Sequence, residues 1–480
     1  MVRDKITKRV SEIQMDFNPE NITISKMMRI FKSMKLSENL SSFDYLKEGG
    51  YSVKFVLSAL IIMVVMGKKT VHASLPELRE HGITAGKDVF YRLKNNSKIC
   101  WRLILWHIAM RFIQITESNK LPDEEEKPRY LIFDDTTFEK TGKKIERIGK
   151  VYDHVDHRCV LGFKALIMLY WDGKSSIPLD FSLHSEQGNR ETHPYGMSKK
   201  DLRKQFKKKR VKESETRSRI EELDYSKIWM MLKMFFSVAY RGLQIDYVLV
   251  DSWFTCDALI KAVIEHGVHL IGMYKLATTK FLYKGKDLNY KKINDRIVAT
   301  DIKYCRTLKL YYKRADVMYG DIPLTLFFSR KGTQGDWKVL LTTDTKLSFK
   351  KLIEHYQVRW SIEVYIKESK GLLNLGGCQS SDFDAQIADT TIVMITYILL
   401  SLRFRFEHYE SKGELFRAMN AEYLRMTLDK RLWKFFMEII VVVAEILEMD
   451  ADDLLQRVFI KTEAEELINM FFENRLKKID

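Results

Sequence analysis

The sequence predicts an α/β fold: a mixed sheet with a β-rich insertion, flanked by mainly helical N- and C-terminal regions. Three observations carry this. Short apolar runs that stop at acids, Tyr130–Phe133 and Tyr247–Val250, read as buried strands, and helical spacing alternates with them. Residues 275–347 break that rhythm with several strand-like runs. Residues 1–120 and the proline-free stretch after Ser348 keep a helical pattern.

A chain of 480 residues, 46% hydrophobic and 30% charged, has room for several domains and a large core, which excludes disorder as its main theme. The balance of 80 Lys+Arg against 64 Asp+Glu leaves a net charge of +16. Such a surplus points to a polyanionic partner, nucleic acid above all. Cys100, Cys159, Cys256, Cys305 and Cys378 show no zinc-type spacing, so neither a zinc site nor a disulfide framework is expected. That usage fits a reducing cytosol, and the expected location is cytoplasmic. The start MVRDKITKRV has no signal-peptide apolar stretch. Val53–Met66 and Ile392–Leu402 are short for a span, and Phe435–Leu447 contains two glutamates. All three read as buried helices, and no membrane partner is expected.

In chain order, Ser74–Asn96 has the shape of helix, glycine-containing turn, helix, with Thr84 placed to cap the second. It reads either as a helix-turn-helix carrying Arg92 and Lys94 to DNA or as an ordinary amphipathic pair. Leu121–Arg129 is an acidic loop. Tyr130–Phe133 is a strand ending in Asp134 and Asp135, and Ala165–Trp171 is another. Ser226–Arg241 is a helix with a serine at its start and Gly242 past its end. Tyr247–Val250, ending in Asp251, precedes a helix at Asp257–Glu265 and a strand at Val268–Met273. The insertion holds strands at Leu308–Tyr312, Leu324–Phe328 and Lys338–Thr343, with a turn signal at Gly332–Asp336. Ser348–Lys370 is read as one helix. The boundaries expected are 1–120, 121–274, 275–347, 348–410 and 411–480.

On that last helix, Tyr356, Arg359, Glu363, Lys367 and Lys370 fall within an arc of roughly 80° at about 100° per residue. A face that sets one carboxylate among cations is either a solvated stripe or part of a site. Acids at two strand ends favour the site, because ligands of α/β sheets gather outside strand ends. Clustered carboxylates are hard donors suited to Mg2+ or Mn2+. Two such ions assist in-line phosphoryl displacement.

Tyr356-x-x-Arg359-x-x-x-Glu363-x-x-x-x-x-x-Lys370 resembles the Y-R-E-K signature of the IS-four family of insertion-sequence transposases, which are DDE enzymes with a ribonuclease-H-like catalytic domain. FDDTTFEK at Phe133–Lys140 is similar to the family's first acidic region, and VDSWF at Val250–Phe254 to its second. The resemblance implies Asp135, Asp251 and Glu363 as catalytic and metal-holding residues, Asp135 being preferred over Asp134 as the acid before the threonine pair. It also implies two Mg2+ or Mn2+ ions, transposon-end and target DNA as partners, and a homodimer on DNA. Tyr356, Arg359, Lys367 and Lys370 would then hold DNA, with Trp360 and Trp337 as candidate aromatic contacts.

Lys199–Arg219 holds eleven Lys/Arg and three acids, with only Leu202, Phe206 and Val211 as apolar residues. It reads as an electrostatic clamp on phosphate through Lys207, Lys208, Lys209 and Arg210. His154, His157, His184 and His193 read as structural. No Walker-type loop appears, so ATP use is not expected.

Overall fold

The computed structural model describes Met34 and residues 50–80, 85–120, 126–211, 214–406 and 410–419. The Thr84 cap, most of the acidic loop, Lys212, Glu213 and the Phe435–Leu447 helix lie outside the described residues. The chain divides into two compact units. The larger comprises Met34–Lys69 with Asp88–Phe416, and begins with helix α1 (Val53–Val65). The smaller comprises Met1–Ser33, Thr70–Lys87 and Arg417–Asp480, and its described helix is α2 (Val71–Glu80).

The larger unit is built on one sheet. Helices α3 (Lys87–Lys94) and α4 (Trp101–Ser118) precede it. Strands β1 (Tyr130–Glu139), β2 (Gly149–Asp153), β3 (Arg158–Trp171) and β4 (Ser176–His184) pair antiparallel around β3. The short helices α5 (Lys199–Arg203) and α6 (Glu215–Glu221) lead to α7 (Lys227–Tyr240). Ser226 caps α7 by accepting the Trp229 amide, and Gly242 turns the chain out of it at φ 71°. Strand β5 (Tyr247–Val250), helix α8 (Asp257–Glu265) and strand β6 (His269–Met273) follow. Both β5 and β6 run parallel to β1. The resulting order β4-β3-β1-β5-β6 is ribonuclease-H-like, as expected from the sequence.

The insertion contributes β7 (Phe281–Tyr283), β8 (Lys286–Leu288), α9 (Tyr290–Arg296), β9 (Lys303–Cys305), β10 (Leu310–Tyr319), β11 (Ile322–Arg330) and β12 (Lys338–Thr342). Because β12 pairs with β6, these strands continue the same sheet. The chain then forms α10 (Phe349–Gln357), α11 (Trp360–Leu373) and α12 (Phe383–Phe406). Helix α12 is twice the length of the apolar run read from the sequence. Its composition would suit a membrane span, but 94% of its most apolar window is buried in the protein. It packs against α1, α4 and α11 as the core helix behind the sheet.

Three expectations are corrected. Strand β1 does not end at Phe133: it stays paired with β3 as far as Glu139, while its parallel pairing with β5 stops at Ile132. Asp134 and Asp135 therefore sit mid-strand, just past the point where β5 leaves. Strands β2 and β4 are additions to the predicted set. Pro178 obscured β4, and the ladder absorbs it through an irregularity between Met168 and Leu169. The single helix predicted over Ser348–Lys370 is two, joined at Val358 and Arg359. There the amides of Val358, Arg359, Ser361 and Ile362 bond three residues back rather than four.

Candidate active site

The site lies where β1 and β5 part and α11 crosses them. Strand alternation sends Asp134 and Asp135 to opposite sides. Asp134 meets α11: its Oδ2 is 3.4 Å from Arg359 Nη1. Thr136, on the same side, accepts from Lys370 Nζ at 2.7 Å, and the Thr137 carbonyl accepts from it at 2.9 Å. Asp135 instead pairs with Lys227 Nζ of α7 at 2.7 Å. On α11, Glu363 Oε1 lies 2.5 Å from Arg359 Nη2. One guanidinium thus joins Asp134 to Glu363, whereas Asp135, the acid preferred from sequence, is committed elsewhere.

Asp251 follows β5 directly. Its Oδ1 accepts the amides of Trp253 and Phe254 at 2.9 and 3.2 Å, and its carbonyl accepts the Thr255 hydroxyl at 2.7 Å. Gly272 of β6 makes room for this turn: a Cβ there would lie 2.2 Å from Thr255 Oγ1. The Tyr356 hydroxyl donates to the Val250 carbonyl at 3.3 Å, tying α10 to the same strand end. Burial pushes that phenol up to about 12.

Burial also pushes the Asp134 carboxyl up to about 7, and the Asp251 and Asp135 carboxylates add to it, against the opposing pull of the Asp135 amide and Arg359. More negative charge gathers here than Arg359 balances. The Arg359 Nε is itself buried without a hydrogen-bond partner. The oxygens of Asp134, Asp251 and Glu363 are the hard donors that a divalent cation of the Mg2+ type takes, so these residues fit such an ion by chemistry. Among the described residues, however, no three acids, histidines or cysteines are gathered into a group able to hold a metal. Arg359, paired with both Asp134 and Glu363, stands where these two carboxylates meet.

The other predicted contacts divide clearly. Trp360 is 62% exposed and Lys367 is exposed on the outer face of α11. Trp337 lies under two cations, Lys313 and Arg330, with centroid distances of 4.5 and 4.4 Å. Arg92 is exposed and donates to the Asp88 carbonyl of its own helix. Lys94, expected to reach DNA, turns inward instead and pairs with Asp389 of α12 at 2.5 Å.

The basic run is also corrected. Residues 207–210 form an extended segment whose side chains alternate. Lys207 and Lys209 face solvent, and Lys208 and Arg210 face in. Lys208 Nζ pairs with Asp382 and Asp384 at 2.9 and 2.6 Å. Arg210 pairs with Glu146, Asp382 and Asp384 at 2.7, 3.4 and 2.8 Å. Farther on, Arg219 donates to the Phe181 carbonyl at 2.8 Å and is buried. Counting charge along the sequence missed this, because the acids that neutralise the run lie more than sixty residues away on both sides.

Residues 224–399 match the family described as a transposase DDE domain, and residues 53–284 match the family described as a DDE superfamily endonuclease. Two overlapping stretches of the chain are thus similar to DDE-type domains. The endonuclease match contains Asp134 and Asp251, the transposase match Asp251 and Glu363, and the two overlap across α7, β5, α8 and β6. DDE nucleases as a superfamily generally use divalent metal ions. No curated protein matches the chain. Among solved structures, the chain is similar to the Drosophila P element transposase strand transfer complex, at 12% identity and a TM-score of 0.20, over 55% of each chain. The chain thus spans about half the length of that relative.

Proposed function

We propose that this DDE-type protein is an insertion-sequence transposase of the IS-four kind, which cuts DNA at element ends and joins the freed ends to target DNA. The observation that carries the reading is the convergence of Asp134 and Glu363 on one guanidinium beside the Asp251 turn, within a sheet of ribonuclease-H-like order. Asp134, Asp251 and Glu363 would hold Mg2+ or Mn2+, two ions per site. Bound there, the ions supply charge stabilisation at the attacking and leaving oxygens of a phosphodiester. Arg359 has two roles in this scheme. In the free protein it neutralises Asp134 and Glu363. On DNA its fork of donors is matched to a phosphate, which would release both carboxylates for cation binding. In this reading Lys370 orients the strand edge through Thr136, and the exposed Lys367, Trp360, Lys207 and Lys209 would meet the backbone. The protein would work as a dimer, because two element ends must be held together.

A supercoiled plasmid carrying the DNA that flanks the gene tests this. Asp134→Asn, Asp251→Asn and Glu363→Gln each abolish Mn2+-dependent nicking, while Asp135→Asn retains it. An active Asp134→Asn alongside an inactive Asp135→Asn would reverse the choice of acid. Pre-cut ends with free 3′-hydroxyls then report joining, and nicking without joining would leave a nuclease in place of a transposase.

A further inference from the structure

We propose that Tyr225, Trp229 and Trp253, interleaved with Lys227 and Lys233, form a stacking surface for single-stranded DNA beside the acidic centre. The inference rests on the DNA-cleaving reading above and adds where an unpaired strand would lie. Large aromatics are usually buried, yet Trp253 is 61% exposed, Trp229 47% and Tyr225 41%. Both indoles are anchored through their backbone. The Trp253 amide is bonded to Asp251, and the Trp229 amide to Ser226, the cap of α7. The rings of Tyr225 and Trp229 lie 4.5 Å apart.

Both indoles have a cation over them. Lys233 Nζ is 5.3 Å from the Trp229 ring and Lys227 Nζ is 5.2 Å from the Trp253 ring. Lys227 also pairs with Asp135, so the surface reaches β1 next to Asp134. Flat rings beside ammonium groups match bases alternating with phosphates, and Lys233, 46% exposed and 3.8 Å from Glu222, is the more accessible of the two cations. A duplex hides its base faces within the stack, so this chemistry selects an unpaired strand. The net charge of +16 favours a polyanion over an aromatic-rich protein partner.

The test measures fluorescence anisotropy with a labelled oligothymidylate and with a duplex of equal length, using the full chain. Trp253→Ala and Trp229→Ala each weaken the single strand roughly 5- to 150-fold, the range for loss of one stacked base. Duplex affinity changes much less, and Trp253→Phe restores most of the loss because it keeps a ring. Circular dichroism confirms that each variant is folded. Variants that bind the single strand like the wild type would overturn the surface and leave the DNA reading intact. So would variants that lose only self-association in sedimentation, which would assign these rings to a second copy of the chain. A wild type that binds neither probe would overturn both readings.

Discussion

Asp134 and Asp135 are neighbours with opposite surroundings. Asp135 has Lys227 to itself, while Asp134 shares Arg359 with Glu363 and faces Asp251. The Asp134 carboxyl, held up to about 7, sits above its ordinary value of 3.8, so the folded chain binds that proton more tightly than the unfolded chain does. The stability linked to it is fully present below about pH 4 and is lost as pH rises through 7. Asp134→Asn keeps a neutral side chain at every pH. It should therefore raise the unfolding free energy at pH 8 by up to about 4 kcal/mol, at about 1.4 kcal/mol per pKa unit, and the gain should fade toward pH 4. Urea denaturation of wild type and variant at both pH values checks this. A gain of equal size at both would mean that the carboxylate is not under strain.

At the scale of elements, the segment through Lys207–Arg210 joins parts of the chain distant in sequence. Arg210 is 4% exposed, and its partners Glu146, Asp382 and Asp384 are 9%, 7% and 0% exposed. Removing one partner from a buried charge network leaves the others uncompensated. Arg210→Ala is expected to cost about 3–5 kcal/mol of stability. Replacing both exposed lysines, Lys207→Gln with Lys209→Gln, should change stability by less than about 0.5 kcal/mol. It should also flatten the salt dependence of duplex binding, by up to about 0.9 log units for each phosphate that is no longer neutralised. Denaturation and binding across a salt series separate the inward pair from the outward pair. If Arg210→Ala unfolds at the wild-type midpoint, the buried network contributes nothing.

Across the whole larger unit, helix α12 is the apolar post on which the helical layer behind the sheet is built. It is buried along nearly its entire length, with Ile395 and Met394 fully enclosed. A helix this apolar is shielded from water because α1, α4 and α11 pack against it. Ile395→Ala leaves a cavity that packed neighbours cannot close and should cost about 2–5 kcal/mol. Calorimetry or urea denaturation would show it, and a shift below about 0.5 kcal/mol would place Ile395 at a surface instead of in the core.

Much of the architecture was readable because local physics sets it. Strand β5 and helix α8 fall on the predicted residues, and α7 starts at its serine cap and ends one residue before predicted, ahead of Gly242. Continuous apolar runs, caps and left-handed glycines are properties of short stretches of chain. The identities and spacing of Tyr356, Arg359, Glu363 and Lys370 were visible for the same reason. Which acid faces α11 was not. Strand β1 is buried on both sides through Tyr130–Phe133, so its sequence carries no alternation that would mark one face. Which of the two acids meets α11 was left to the crossing of that helix over β1. The inward turn of Lys94, Lys208 and Arg210 likewise depended on acids brought from distant parts of the chain. A count of charges along the sequence records how many cations there are, and only the folded arrangement decides which of them are already neutralised.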